Sequence, residues 1–212
     1  MDSIKAFNGD KYLGEEFLKL IKKFKIKNII ETGTYRRDTT RAFSGMADKV
    51  YTIESNRSFY FGSKKILKNY SNVRTFFGSS PEVLKKILPN IKENTLFFLD
   101  AHWGHYWPIL DELKEISKID SLKNSVIVIH DFYVPEVDFG YDSYYHSDSK
   151  FELFLKKFIG FFGRKLNMNL VEKQKLDYDF IKEKLKKINP EFKHYYNSRA
   201  EGAKRGVIFI HP

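Results

Sequence analysis

At 212 residues the chain can close one full hydrophobic core but not two independent ones. A composition of 42% hydrophobic, 30% charged and 17% aromatic residues excludes disorder, and the absence of cysteine excludes disulfides and thiolate metal sites. The formal charge is +10, and residues 151–212 hold 14 Lys+Arg against 7 Asp+Glu, a surplus fitting either a lysine-rich solvated surface or a track for nucleic acid or anionic lipid.

No stretch approaches the roughly 20 apolar residues of a membrane span, and Met1 to Lys5 do not open a signal peptide, so a cytoplasmic protein is expected. Leu13, Phe17, Leu18, Ile21 and Phe24 recur at helical spacing, predicting a packing helix over residues 13–24. A first strand at 28–31 runs into a glycine turn, after which Asp38 or Thr39 would cap a helix ending near Met46. The second strand, 49–54, closes on Glu54, and a helix from Ser55 or Asn56 runs to about Tyr70.

The third strand, 73–77, ends in Gly78-Ser79-Ser80-Pro81, where Ser80 and Pro81 would start a short helix with Leu84, Ile87, Leu88 and Ile91 buried. The fourth strand, 95–99, meets Asp100-Ala101-His102-Trp103; a helix over 108–119 and a fifth strand at 125–129 follow, ending in His130-Asp131. Strands one, four and five are almost wholly apolar, as in a parallel sheet covered by helices on both faces. Residues 133–150 interrupt the rhythm as a long loop, which points to a functional insert. An apolar helix is expected over 151–162, another striped by Tyr178, Ile181, Leu185 and Ile188, and two short strands end the chain at 192–198 and 206–211. These repeats predict a Rossmann-like α/β protein, a doubly wound sheet in one domain spanning residues 1–212.

In such a sheet ligands bind beyond the carboxyl ends of the strands, and the residues there are polar: Glu31, Glu54, Ser79, Asp100 with His102, and His130 with Asp131. Glu54 lies 23 residues beyond Glu31, where an acid closing the second strand accepts hydrogen bonds from ribose hydroxyls. Gly33 lets a backbone approach a ligand closely, but the lone glycine does not make a dinucleotide fingerprint.

Glu31-Thr32-Gly33-Thr34, Tyr51-Thr52-Ile53-Glu54, Gly78-Ser79, Leu99-Asp100-Ala101-His102 and the terminal strand pair together resemble class I S-adenosylmethionine (SAM)-dependent methyltransferases, in order and over almost the whole chain. The resemblance implies the strand order 3-2-1-4-5-7-6 with the seventh strand antiparallel. It places Glu31, Thr32, Gly33 and Thr34 around the methionine part of the cofactor, Glu54 on the ribose and Ser79 beside the adenine, with Thr39, Ser55, Gly78 and Asp100 completing the cofactor site. Arg37 stands where many relatives have a second glycine, so a wider turn is expected, with Arg36 or Arg37 reaching a carboxylate.

A subset of that family, acting on hydroxyls of sugars and catechol-like compounds, binds a divalent cation with acids after the fourth and fifth strands. By that resemblance Asp100, His130 and Asp131 are the expected metal ligands, with magnesium or manganese the expected ion. Methyl transfer needs an aligned oxygen and a route for its proton; His102 is the expected base beside Asp100, with His105 second, and a metal would lower the hydroxyl pKa directly. Trp103, Tyr106 and Trp107 would flank the acceptor, with Tyr141, Tyr144, Tyr145 and His146 as a lid. The expected function is O-methylation of a saccharide or other small hydroxylated molecule. The alternatives are RNA methylation, which lacks an N-P-P-Y-like tetrapeptide after the fourth strand, and a non-enzymatic nucleic-acid-binding protein on a degenerate fold.

Overall fold

The computed structural model of the chain describes residues 6–101, 107–145 and 173–212. Five parallel strands, β1 (Asn28–Thr32), β2 (Lys49–Glu54), β3 (Val73–Phe77), β4 (Thr95–Leu99) and β5 (Val126–His130), alternate with α1 (Lys11–Lys23), α2 (Asp38–Ser44), α3 (Arg57–Leu67), α4 (Ser80–Ile87) and α5 (Ile109–Ile116). β6 (Ser143–Tyr145) and β7 (Lys173–Lys175) make a separate antiparallel pair, and α6 (Tyr178–Ile188) leads to β8 (Lys193–Tyr196) and β9 (Val207–His211). The large sheet has the order β3-β2-β1-β4-β5-β9-β8, with β9 antiparallel to both neighbours. Counting its strands one to seven, this is the expected 3-2-1-4-5-7-6 arrangement.

Side chains alternate across the sheet and build two cores. Ile30, Phe97, Leu99, Ile127, Ile129, Ile208 and Ile210 face α4, α5 and α6, whereas Ile29, Leu96, Phe98, Val126, Val128, Val207 and Phe209 face α1 and α2. Since both faces are covered, β1, β4 and β5 are buried at every position, which is why their sequences carry no polar alternation. Phe43 meets Phe7, Phe17 and Phe98 edge to face, as Phe17 meets Phe98, with centroids 4.9–5.7 Å apart, closing the second core.

Several local expectations are corrected. In α1 the buried stripe is Leu13, Phe17 and Leu20, and Leu18 is 52% exposed. The residue preceding α2 is Arg37 in a left-handed conformation, not a capping Asp38 or Thr39. Ser143–Tyr145, expected within a loop, is a strand paired with Lys173–Lys175. The helix expected over 151–162 lies outside the described residues. Among the described residues no helix is long and apolar enough to cross a membrane.

Candidate active site

Because β1 to β5 run parallel and in register, their last residues sit level: Thr32 pairs with Ile53 and Leu99, Glu54 with Phe77, and Leu99 with Ile129. Whatever follows each strand therefore collects at one edge of the sheet. A hollow at that edge is lined by Gly33, Ile53, Ser55, Gly78, Ser79, Ser80, Ala101 and Pro108. Gly33, Ser55, Gly78 and Ser79, named from sequence, thus line one hollow.

Gly33 has a reason to be glycine that the sequence alone does not give. Its φ is +92°, and a Cβ there would stand 2.5 Å from the carbonyl oxygen of Asp100. The tips of β1 and β4 are pressed together at this point, with Asp100 N donating to the Thr32 carbonyl. Two and four residues on, Tyr35 (φ 43°) and Arg37 (φ 64°) take left-handed conformations that cost a non-glycine residue about 1 kcal/mol each. Arg37 takes the left-handed conformation that a glycine adopts readily, and its N–H donates to Thr34 O at 2.7 Å. Its Nε is buried without a hydrogen-bond partner, which leaves the expected carboxylate contact unmade in the protein itself.

The loop is held by two carboxylates. Glu54 is 2% exposed; one oxygen accepts from Tyr35 N at 2.8 Å and the other from Asn56 N at 2.7 Å, tying the walls of the hollow to each other. Glu31 is buried beneath, where the hydroxyls of Thr40 and Thr52 donate to it and Thr52 also bonds Thr34 at 2.6 Å. Burial pushes its carboxyl up to about 8, with Asp100 and Glu54 adding to the rise and the two threonines opposing it. Glu31 is therefore a support beneath the loop and makes its hydrogen bonds inward. Thr39 is likewise turned to the fold, its hydroxyl accepting from Phe7 N at 3.1 Å.

Beside the hollow lies an acidic centre. His130 is 3% exposed, and its Nδ1 stands 3.2 Å from Asp100 and 3.3 Å from Asp131 without the alignment of a hydrogen bond to either. Burial opposes charging of the imidazole, but Asp100 foremost and then Asp131 outweigh it and push the pKa up to about 10. One ligand atom from each of Asp100, His130 and Asp131 falls within 4.8 Å of the other two. Two carboxylate oxygens and an orphaned buried imidazole nitrogen fit a divalent cation, whose binding would displace the imidazole proton.

Arg205 and Asp142 belong to this centre and were not foreseen. The Arg205 guanidinium donates to Asp131 from Nε and to Asp142 from Nη2, and Asp142 N donates to Asp131 O at 2.8 Å. Arg205 arrives because β9 runs antiparallel, so the residues that enter it stand at the edge where β5 ends. That topology is the signal through which it was findable. His102, the expected base, lies outside the described residues with Trp103, His105, Tyr106 and His146. Trp107 is buried against Phe180, with ring centroids 5.7 Å apart, and belongs to the core.

No protein-family model matches the chain, and no curated protein matches its sequence. Solved structures do. TomG, an O-methyltransferase from Streptomyces achromogenes involved in tomaymycin synthesis and solved with SAM, aligns with a TM-score of 0.58 at 16% identity, over 94% of this chain and 79% of that one. A candidate caffeoyl-CoA O-methyltransferase from Staphylococcus aureus aligns with a TM-score of 0.54 at 16% identity, over 94% and 82%. An O-methyltransferase from Bacillus cereus in complex with SAH aligns with a TM-score of 0.54 at 14% identity, over 94% and 80%. At this identity the likeness is one of fold, and the fold is that of class I SAM-dependent methyltransferases.

Proposed function

We propose that the protein is a SAM-dependent O-methyltransferase of a saccharide or other small hydroxylated acceptor, working as one domain with residues 133–150 as its substrate insert. The observation that carries this reading is the juxtaposition, at one sheet edge, of the glycine- and serine-lined hollow with the Asp100–His130–Asp131 centre. The hollow offers backbone and hydroxyl groups of Gly33, Ser55, Gly78 and Ser79 to an adenosyl group. Glu54 has used one lone pair of each oxygen on the loops, and the remaining ones are its means of meeting ribose hydroxyls.

When bound, the sulfonium supplies a methyl group that an in-line oxygen takes, leaving a neutral thioether. The acceptor proton must then go to the protein. Without an ion His130 carries its proton at neutral pH, its pKa being pushed up to about 10 by Asp100 and Asp131, and with an ion it would be a neutral ligand, so in neither state is it the base. His102, two residues beyond Asp100, takes the proton in this account. Asp100, His130 and Asp131 would hold a magnesium or manganese ion, whose chemistry is to lower the pKa of a hydroxyl bound to it.

The test is transfer of tritiated methyl from SAM to a panel of sugars, nucleotide sugars and catechols, with bulk RNA as a comparison acceptor, with and without manganese or a chelator. Label on a small acceptor, lost in Asp100→Ala, supports the reading; label on RNA alone, or none on any acceptor, contradicts it.

A further inference from the structure

Positive charge on this protein is offset by neighbouring acids to different degrees along the chain. In the basic last third, Lys182 pairs with Asp179 at 2.7 Å and Lys186 with Glu183 at 3.0 Å, each within one helical turn. Residues 55–81 behave differently: they contain Arg57, Lys64, Lys65, Lys68 and Arg74 and no aspartate or glutamate at all. All five cations are exposed, and none forms an ion pair among the described residues.

The same stretch exposes aromatic rings. Phe61 is 54% and Phe77 51% exposed, and Tyr35, across the cleft loop, is 49% exposed. The Tyr60 ring lies 5.2 Å from both Phe61 and Phe77, and Tyr35 lies 4.7 Å from Phe59, so the rings form chains instead of scattered single residues. Cations are interleaved with them: Arg57 stands 5.8 Å from the Phe61 ring centre, Lys64 5.3 Å from Tyr60 and Arg36 5.2 Å from Tyr35. β3 is an edge strand of the large sheet, its outer edge unpaired among the described residues.

Exposed rings that alternate with unpaired cations suit a ligand presenting flat apolar faces and regularly spaced negative charges. An acidic protein or a sulfated polysaccharide would satisfy the cations and leave the rings idle. We propose that the α3–β3 face binds single-stranded nucleic acid, with bases stacking on Phe61, Phe77 and Tyr35 and phosphates meeting Arg57, Lys64 and Arg74. The face ends at Ser55 and Gly78, two residues of the hollow, so a bound strand lies alongside the candidate transfer site. The proposal does not depend on the methyl acceptor and stands apart from the methyltransferase reading.

The experiment is fluorescence anisotropy with a labelled oligouridylate of about 20 nucleotides, repeated between about 50 and 200 mM salt. The full chain should bind with affinity falling steeply as salt rises, Phe61→Ala and Phe77→Ala should each weaken binding by about tenfold, and Lys64→Glu should also flatten the salt dependence. Calorimetry with S-adenosylhomocysteine on the same variants reports folding and the cofactor site independently, and should be unchanged. No oligonucleotide binding, binding indifferent to both phenylalanines, or heparin bound with the same phenylalanine dependence would overturn the proposal. So would a dimer by light scattering that Phe61→Ala converts to monomer, since the rings would then serve a second copy of the chain.

Discussion

Gly33 carries a demand that two neighbouring strands impose jointly: the carbonyl of Asp100 occupies the space a side chain would need, and φ is +92°. Gly33→Ala should therefore cost about 2 kcal/mol in urea unfolding and disturb the hollow together with the fold. The titrating residues of the site make a second prediction. Glu31 and His130 both have folded pKa values above their ordinary ones, at about 8 and about 10, so the native state binds more protons than the unfolded chain across those windows. Their stabilisation is complete at acid pH; the Glu31 part is lost as pH rises from about 4.5 to 8 and the His130 part from about 6.5 to 10. Unfolding free energies measured from pH 5 to 9 should fall steadily, and Glu31→Gln should flatten the lower half of that slope. A stability that rises over this range would contradict the assignment. Sequence named both residues but not the partners of Glu31: the threonines that receive it, Thr40 and Thr52, come from α2 and β2, and nothing local in the chain announces that meeting.

At the level of elements, hydrophobic spacing located α1 and most of its packed face, Leu13, Phe17, Ile21 and Phe24, but chose Leu18 over Leu20. Leu18 and Leu20 are equally apolar, and only the position of Phe7 and Phe98 against Phe17 selects Leu20 and leaves Leu18 in water. Phe17 is fully buried among Phe7, Phe43 and Phe98, so Phe17→Ala should cost about 3–5 kcal/mol, whereas Leu18→Ala should fall within about 0.5 kcal/mol of the parent. Equal losses for the two in urea denaturation would show that the packing is wrongly assigned. The strand ends were legible because a parallel strand buried on both faces must stop where polar residues begin. The β6–β7 pair was not, since three-residue strands fall below any periodic signal and their partners lie far apart in the chain.

For the molecule as a whole, the spacing of strand and helix patterns announced a doubly wound sheet, and its order came with the resemblance to class I methyltransferases. The antiparallel entry of β9 then brings Arg205 to the acidic centre, a placement that depends on topology and not on any motif. Charge shows the same limit: the sequence surplus lies in the last third, whereas the acid-free run of exposed cations lies on α3, β3 and the turn between them. The residues that follow β1, β2, β3 and β4 enclose one hollow, the proposed site of an adenosyl group. Isothermal titration with S-adenosylhomocysteine, on the parent chain and on Ser79→Trp, tests this most directly. The account predicts one site per chain, weakened at least about tenfold by an indole placed in the hollow while the thermal midpoint is retained. A parent chain that releases no heat with the ligand, or a Ser79→Trp variant that binds it unchanged, would contradict it.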